Sequence, residues 1–149
     1  MTSLFHTGVA VSNLENSVRV LEEHFGFKAS SRRFVEHEYI GTLIGVPNVS
    51  AEIAMLEIGD GNLLELIEWR GSLAAPAPTI DTDLSFSKVH HICIYVKDAA
   101  EWCSRLSKVP EIKLISEEPI VVPVGPNTGS KVFFALVLNE IYFEIFQRF

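Results

Sequence analysis

Two apolar stretches in this chain, Phe5-His6-Thr7-Gly8-Val9-Ala10-Val11-Ser12-Asn13 and His91-Ile92-Cys93-Ile94-Tyr95-Val96-Lys97-Asp98, share one plan. In each, a histidine, His6 or His91, is followed seven positions later by a small polar residue, Asn13 or Asp98. Further along, Leu63-Leu64-Glu65-Leu66-Ile67 and Tyr142-Phe143-Glu144-Ile145-Phe146 each set one carboxylate in an otherwise apolar strand. The order is His, Glu, His, Glu, and the separations from His6 to Glu65 and from His91 to Glu144 are nearly equal. An internal repeat constrains architecture before any local propensity does. It requires two like modules, each too small to be comfortable alone.

The chain between these landmarks supports the repeat. Alternation from Leu4 to Val11 puts His6, Gly8 and Ala10 on one face of a strand. Ser12 with Glu15 reads as a capping box, and Leu14, Val18, Leu21 and Phe25 recur at helical spacing until Gly26. Phe27 to Phe34 reads as a strand, and His37 to Val49 as a looser segment broken by Gly41, Gly45 and Pro47. Ala51 to Ile58 and Asn62 to Trp69 form a hairpin across Gly59-Asp60-Gly61. The second half repeats this order: a strand from Val89 to Val96, a helix opened by Asp98 and stopped by Pro110, then strands over Lys113 to Ile115, Lys131 to Val137 and Ile141 to Phe146. The expected fold is α+β, a single domain over 1–149 of two tandem β-α-β-β-β modules. Module 1 spans about 1–70, a Pro- and Ala-rich linker about 71–87, and module 2 about 88–149.

A net charge of −7 excludes the basic face that nucleic acids or anionic membranes require. No apolar run approaches the roughly 18 residues of a membrane span, and no signal segment opens the chain, so the expected location is the cytoplasm. Cys93 and Cys103 show no zinc-ribbon spacing. An ionised carboxylate is costly to bury without a cation or donor. Glu65 and Glu144, each matched to a histidine, are therefore candidate ligands together with His6 and His91, a set that suits a six-coordinate divalent ion. Cys93 and Tyr95 share the face of His91, whereas His90 points the other way. His24 and His37 have no counterpart in the repeat, and Arg32-Arg33 reads as a solvated pair or an anion contact.

On these residues the chain resembles the vicinal oxygen chelate superfamily, which pairs β-α-β-β-β modules in a cupped mixed sheet around a metal or ligand cavity. His6, Glu65, His91 and Glu144 match the ligand set of bacterial-type glyoxalase I, while His90-His91-Ile92-Cys93-Ile94 and Ser116-Glu117-Glu118-Pro119 look like methylmalonyl-CoA epimerase, which usually has glutamine in place of Glu65. The resemblance implies a homodimer acting on a small carbonyl substrate as an isomerase, epimerase or lyase, with Ni, Co, Mn or Zn bound. Glu144 is then the base that takes the α-proton and Glu65 the second candidate. Two other classes stay open. An extradiol-type dioxygenase would use Fe, and a metal-free binding protein of the resistance type would use an aromatic cavity supplied by Tyr95, Phe133, Tyr142 and Phe146.

Overall fold

A computed structural model of the chain describes residues 5–44, 46–71, 73–74, 91–124 and 126–149. The chain divides into two compact units, Met1–Pro78 and Thr79–Phe149. Most of the expected linker, with Val89 and His90, lies outside the described residues.

In the first unit, β1 (Thr7–Ala10) leads into α1 (Leu14–Phe25), followed by β2 (Lys28–Val35), α2 (Glu38–Ile44), β3 (Val49–Gly59) and β4 (Asn62–Gly71). The strand order is β1-β4-β3-β2. β1 runs parallel to β4, with Gly8 opposite Glu65, and the remaining pairs are antiparallel. Leu64 and Leu66 of β4 share one sheet face with Ala54 and Leu56 of β3, and all four are fully buried. α1 lies on β3 and β4 and contributes Val18 and Leu21 to the buried layer.

The second unit repeats this plan with β5 (Ile92–Tyr95), α3 (Ala99–Leu106), β6 (Ile112–Leu114), β7 (Ile120–Val121), β8 (Lys131–Val137) and β9 (Ile141–Gln147). Its order is β5-β9-β8-β6, with β7 also pairing β8. β5 runs parallel to β9, with Cys93 opposite Glu144. Phe133, Ala135, Phe143 and Ile145 form its buried face, with Leu106 of α3. Both units are thus β-α-β-β-β modules of mixed sheet, each carrying one added short element. Among the described residues, no helix is long and apolar enough to cross a membrane.

The repeat reaches into details that strand and helix patterns do not carry. Where β1 leaves the sheet, the Val11 amide donates to the Ile67 carbonyl at 2.9 Å, and the Val96 amide donates to Phe146 at 2.9 Å. The first amide of each helix is then taken by a side chain from the last strand of its unit. Leu14 N–H donates to Glu68 at 2.7 Å and Ala99 N–H to Gln147 at 2.8 Å. Each bond satisfies one of the donors that a helix N-terminus leaves without an internal partner.

Two local expectations are corrected. The cap of α1 is Asn13, whose side chain accepts from the Asn16 amide at 2.8 Å, and Ser12 stands one residue too early to serve. The segment after His37 is a seven-residue helix, α2, where Gly41 and Pro47 had suggested a break. Gly41 is there for space, because a Cβ would lie 2.7 Å from the Val46 carbonyl oxygen, which accepts no such approach. Val46 N–H closes the turn onto the Gly41 carbonyl at 3.0 Å.

Asp98 accepts from two amides, those of Ala100 and Glu101, at 3.0 Å each, whereas Asn13 accepts from one. Asp98→Ala is therefore expected to lower stability by about 1 kcal/mol or more, and Asn13→Ala by less. Urea unfolding followed by circular dichroism checks both, and the larger drop in midpoint belongs to Asp98→Ala.

Candidate metal and substrate site

The parallel register of each unit decides what faces what. Residues paired across a sheet point to the same side, and side chains alternate along each strand. Pairing Gly8 with Glu65 therefore puts His6, Gly8 and Ala10 on the face of Glu65, away from α1. His6 Nε2 lies 3.3 Å from Glu65 Oε2. Pairing Cys93 with Glu144 does the same for His91, whose Nε2 lies 3.1 Å from Glu144 Oε2. The structure brings each histidine to its own glutamate, and among the described residues it gathers no group of three or more His, Cys, Asp or Glu.

The two faces differ around their common pair. Glu65 is buried, and its second oxygen faces the Arg33 guanidinium at 3.5 Å. Arg32, one residue earlier on β2, projects to the opposite face and pairs with Glu15 of α1, so the two arginines serve different faces. A Cβ at Gly8 would stand 3.7 Å from Glu65 Oε2, so the glycine leaves open space beside the carboxylate. In the second unit that position is Cys93. Its thiol, pushed up to about 11 by partial burial and then by the charge and hydrogen bond of Glu144, is a neutral donor to the carboxylate at neutral pH. The His91 ring meets Phe134 edge-on at 5.2 Å.

Of the aromatic residues expected to line a cavity, Tyr95, Tyr142 and Phe146 lie on the Glu144 face. Phe133 does not. It pairs with Ile145 and is buried in the core beneath α3, and the ring on the Glu144 face is that of Phe134. Counting back from the hairpin would have shown this, because the pairing of Val137 with Ile141 sets Phe134 across from Glu144. A cavity of about 780 Å³ in the first unit is lined by Glu36, His37, Glu38 and Asn48, among others, and His6 and Glu65 do not line it. Its acidic side chains and His37 are exposed, and the His37 ring accepts from the Tyr39 amide at 3.2 Å. The His–Glu faces are the candidate site.

The donor chemistry fits a divalent transition metal. Imidazole nitrogen and carboxylate oxygen suit Mn, Co, Ni and Zn alike. Two atoms holding one such ion at right angles stand about 3 Å apart, for bonds of about 2.1 Å. The spacings of 3.3 and 3.1 Å match. His6 Nδ1 is a buried atom with no hydrogen-bond partner among the described residues.

A β-α-β-β-β repeat with a His–Glu pair on the open face of each module defines a class. A family model described as the Glyoxalase/Bleomycin resistance protein/Dioxygenase superfamily matches residues 5–125, and the chain belongs to that superfamily. No curated protein sequence matches it. Among solved structures, a glyoxalase family protein from Bacillus cereus is 21% identical, with 99% of this chain and 95% of that one covered at a TM-score of 0.81. Glyoxalase I from Zea mays is 20% identical at a TM-score of 0.65, with 97% of this chain covering 44% of the longer one. The fosfomycin resistance protein FosX from Listeria monocytogenes, in complex with Mn(II) and sulfate, is 11% identical at 0.62, with 100% and 94% covered. At these identities the likeness is one of fold, which hosts many chemistries.

The environment of Cys93 gives a direct check. In metal-free protein its alkylation by iodoacetamide is expected to be slow at pH 8 and to rise about tenfold per pH unit, since only the thiolate reacts. Glu144→Gln removes the neighbouring negative charge, so the thiol ionises more readily and the rate at pH 8 rises. Mass spectrometry of the labelled peptide measures it.

Proposed function

We propose that this chain is a metal-dependent isomerase, epimerase or lyase that moves a proton on the carbon next to a carbonyl group. The reading is carried by the duplicated His–Glu pair, with Nε2 to Oε2 spacings of 3.3 and 3.1 Å on equivalent strands of two like modules. One pair alone supplies two protein ligands. The other positions of a six-coordinate ion are then open to substrate, water or further ligands, and His6, Glu65, His91 and Glu144 are the four candidate ligands of the chain.

A divalent ion held by these side chains would supply a Lewis acid for a carbonyl oxygen and ease loss of the adjacent proton. The proton itself is handled by the chain's carboxylates. Glu65 is committed on both sides, to His6 through one oxygen and to Arg33 through the other. Glu144 is more accessible, and its neighbour Cys93 donates to it without carrying a charge of its own. Glu144 is thus the base that takes the α-proton. Glu65 is the second candidate for that role, and in an epimerase a proton returns to the opposite side of the same carbon, which inverts it with no net loss. In a glyoxalase-type reaction, Glu144 returns the proton to the neighbouring carbon.

A one-to-one pairing of histidine with glutamate in each module disfavours the oxygenase alternative, whose iron sites use two histidines and one carboxylate. The likeness to methylmalonyl-CoA epimerase favours a thioester substrate, and the match to glyoxalase I a hemithioacetal. Assay of α-proton exchange on both compounds under argon separates these readings, and activity that requires O₂ would overturn both.

Two further outcomes test the site. Elemental analysis after loading with Ni, Co, Mn or Zn is expected to show bound metal, and His6→Ala and His91→Ala each to lower the amount held; metal content unchanged in both variants would overturn the assignment. Glu144→Gln keeps an oxygen ligand and cannot accept a proton, so exchange of the α-proton with D₂O falls by about 10²-fold or more, while the fold persists. Undiminished exchange would move the role to Glu65.

A further inference from the structure

Five of the six arginines in this acidic chain are paired with glutamate: Arg19 with Glu23, Arg32 with Glu15, Arg33 with Glu65, Arg70 with Glu52 and Glu68, and Arg105 with Glu101. Arg148 differs. Among the described residues it has no acidic partner, and it is held instead by Tyr95. The guanidinium carbon stands 4.4 Å from the Tyr95 ring centroid, and Nη2 donates to the Tyr95 hydroxyl at 2.7 Å. Tyr95 in turn meets Phe146 edge-on at 5.7 Å.

This arrangement lies on the site face. Tyr95 follows His91 and Cys93 at strand alternation, it pairs with Phe146, and Arg148 lies two residues beyond Phe146. Tyr95 keeps 66% of its surface exposed, so the ring and the guanidinium on it are open to a ligand. A guanidinium has five donors in a fixed plane, of which the tyrosine uses one. Stacking fixes the plane, so the rest of the fork is presented ready-made to an oxyanion.

We propose that Arg148, positioned by Tyr95, binds a carboxylate of the substrate, so that the substrate is a carbonyl compound with a carboxylate several bonds from its reacting carbon. The proposal rests on the proton-transfer reading for the identity of that carbon. Tyr95 and Phe146 sit one strand repeat, about 7 Å, beyond Cys93 and Glu144, which sets the scale of the separation. A 2-oxo acid, whose carboxylate adjoins the carbonyl, is too short to reach both groups. One guanidinium balances one negative charge, which selects a carboxylate over a phosphate dianion. At the position equivalent to Arg148, the first unit has Trp69, so the recognition belongs to one module alone.

The test is an NMR titration of the metal-free chain, following the arginine Nε–Hε resonances. The probes are 5-oxohexanoate, its neutral amide, pyruvate and inorganic phosphate. The Arg148 resonance is expected to shift saturably with 5-oxohexanoate and not with the amide. Arg148→Ala should weaken binding about tenfold or more and Tyr95→Phe, which keeps the ring and loses the hydroxyl, about threefold. An unmoved Arg148 resonance, binding by Arg148→Ala equal to wild type, or tighter binding of phosphate or pyruvate overturns the proposal. Because no metal or turnover is involved, its failure is distinct from failure of the isomerase reading. Anion binding at Arg148 in a chain that holds no metal would leave the recognition standing without that reaction. Bound metal with no effect of Arg148→Ala would leave the reverse.

Discussion

Everything at the site depends on one kind of contact, the parallel pairing of the first and last strands of each module. β1 against β4 sets Gly8 opposite Glu65, and β5 against β9 sets Cys93 opposite Glu144. With that register, a histidine two residues upstream lands on the glutamate's face. A slip of one residue would turn every side chain of the strand over. His6 and His91 would then point at the helices and Glu65 and Glu144 would stand alone. The register is protected on the other face, where Leu64, Leu66, Phe143 and Ile145 are fully buried and a slip would expose them. The core and the site are thus two sides of one alignment.

Helix placement follows from the same strands. Glu68 and Gln147, three residues beyond the site glutamates, project to the helix side and accept the first amide of α1 and α3. Each last strand therefore carries a ligand candidate on one face and a helix fastening on the other. For the first unit the fastening is a carboxylate at the positive end of a helix, an arrangement that the helix dipole favours. In the second, an amide does the same work by hydrogen bonding alone.

Much of this was legible in the sequence for a reason particular to it. The duplication doubles each weak signal, so that a histidine or glutamate without meaning alone becomes informative when it recurs at the same place in a second strand. The longer strands and both long helices followed from alternation and helical spacing, whereas the two-residue β7 lies in a Pro- and Gly-rich stretch that reads as loop. What escaped depended on partners far away in the chain. Phe133 and Phe134 are both plausible aromatics until the β8–β9 register assigns Phe134 to the Glu144 face. Arg32 and Arg33 look like one basic cluster, and alternation on β2 sends them to opposite faces. The short helix α2 was hidden because Gly41 resembles a breaker, whereas the approach of Val46 requires it. The contacts of Arg148 with Tyr95 and of Glu68 with Leu14 join residues more than fifty positions apart, with no local pattern to announce them.

The two long hairpins show how far a duplicated module can drift while keeping its shape. In the first, Gly59, Asp60 and Gly61 take positive φ of 103°, 53° and 77°, a conformation open to glycine and visited by aspartate more readily than by most side chains. In the second, Leu138 and Asn139 occupy the same left-handed region at 53° and 60°. For a leucine that conformation costs roughly 1–2 kcal/mol. The first turn bends the chain by itself and helps its strands meet. The second is bent by what surrounds it, including the Glu111 carbonyl that accepts the Leu138 amide at 2.8 Å. The two copies therefore hold their last turns by different means, the first through glycines that accept the bend and the second through the carbonyl that its leucine amide reaches outside the hairpin.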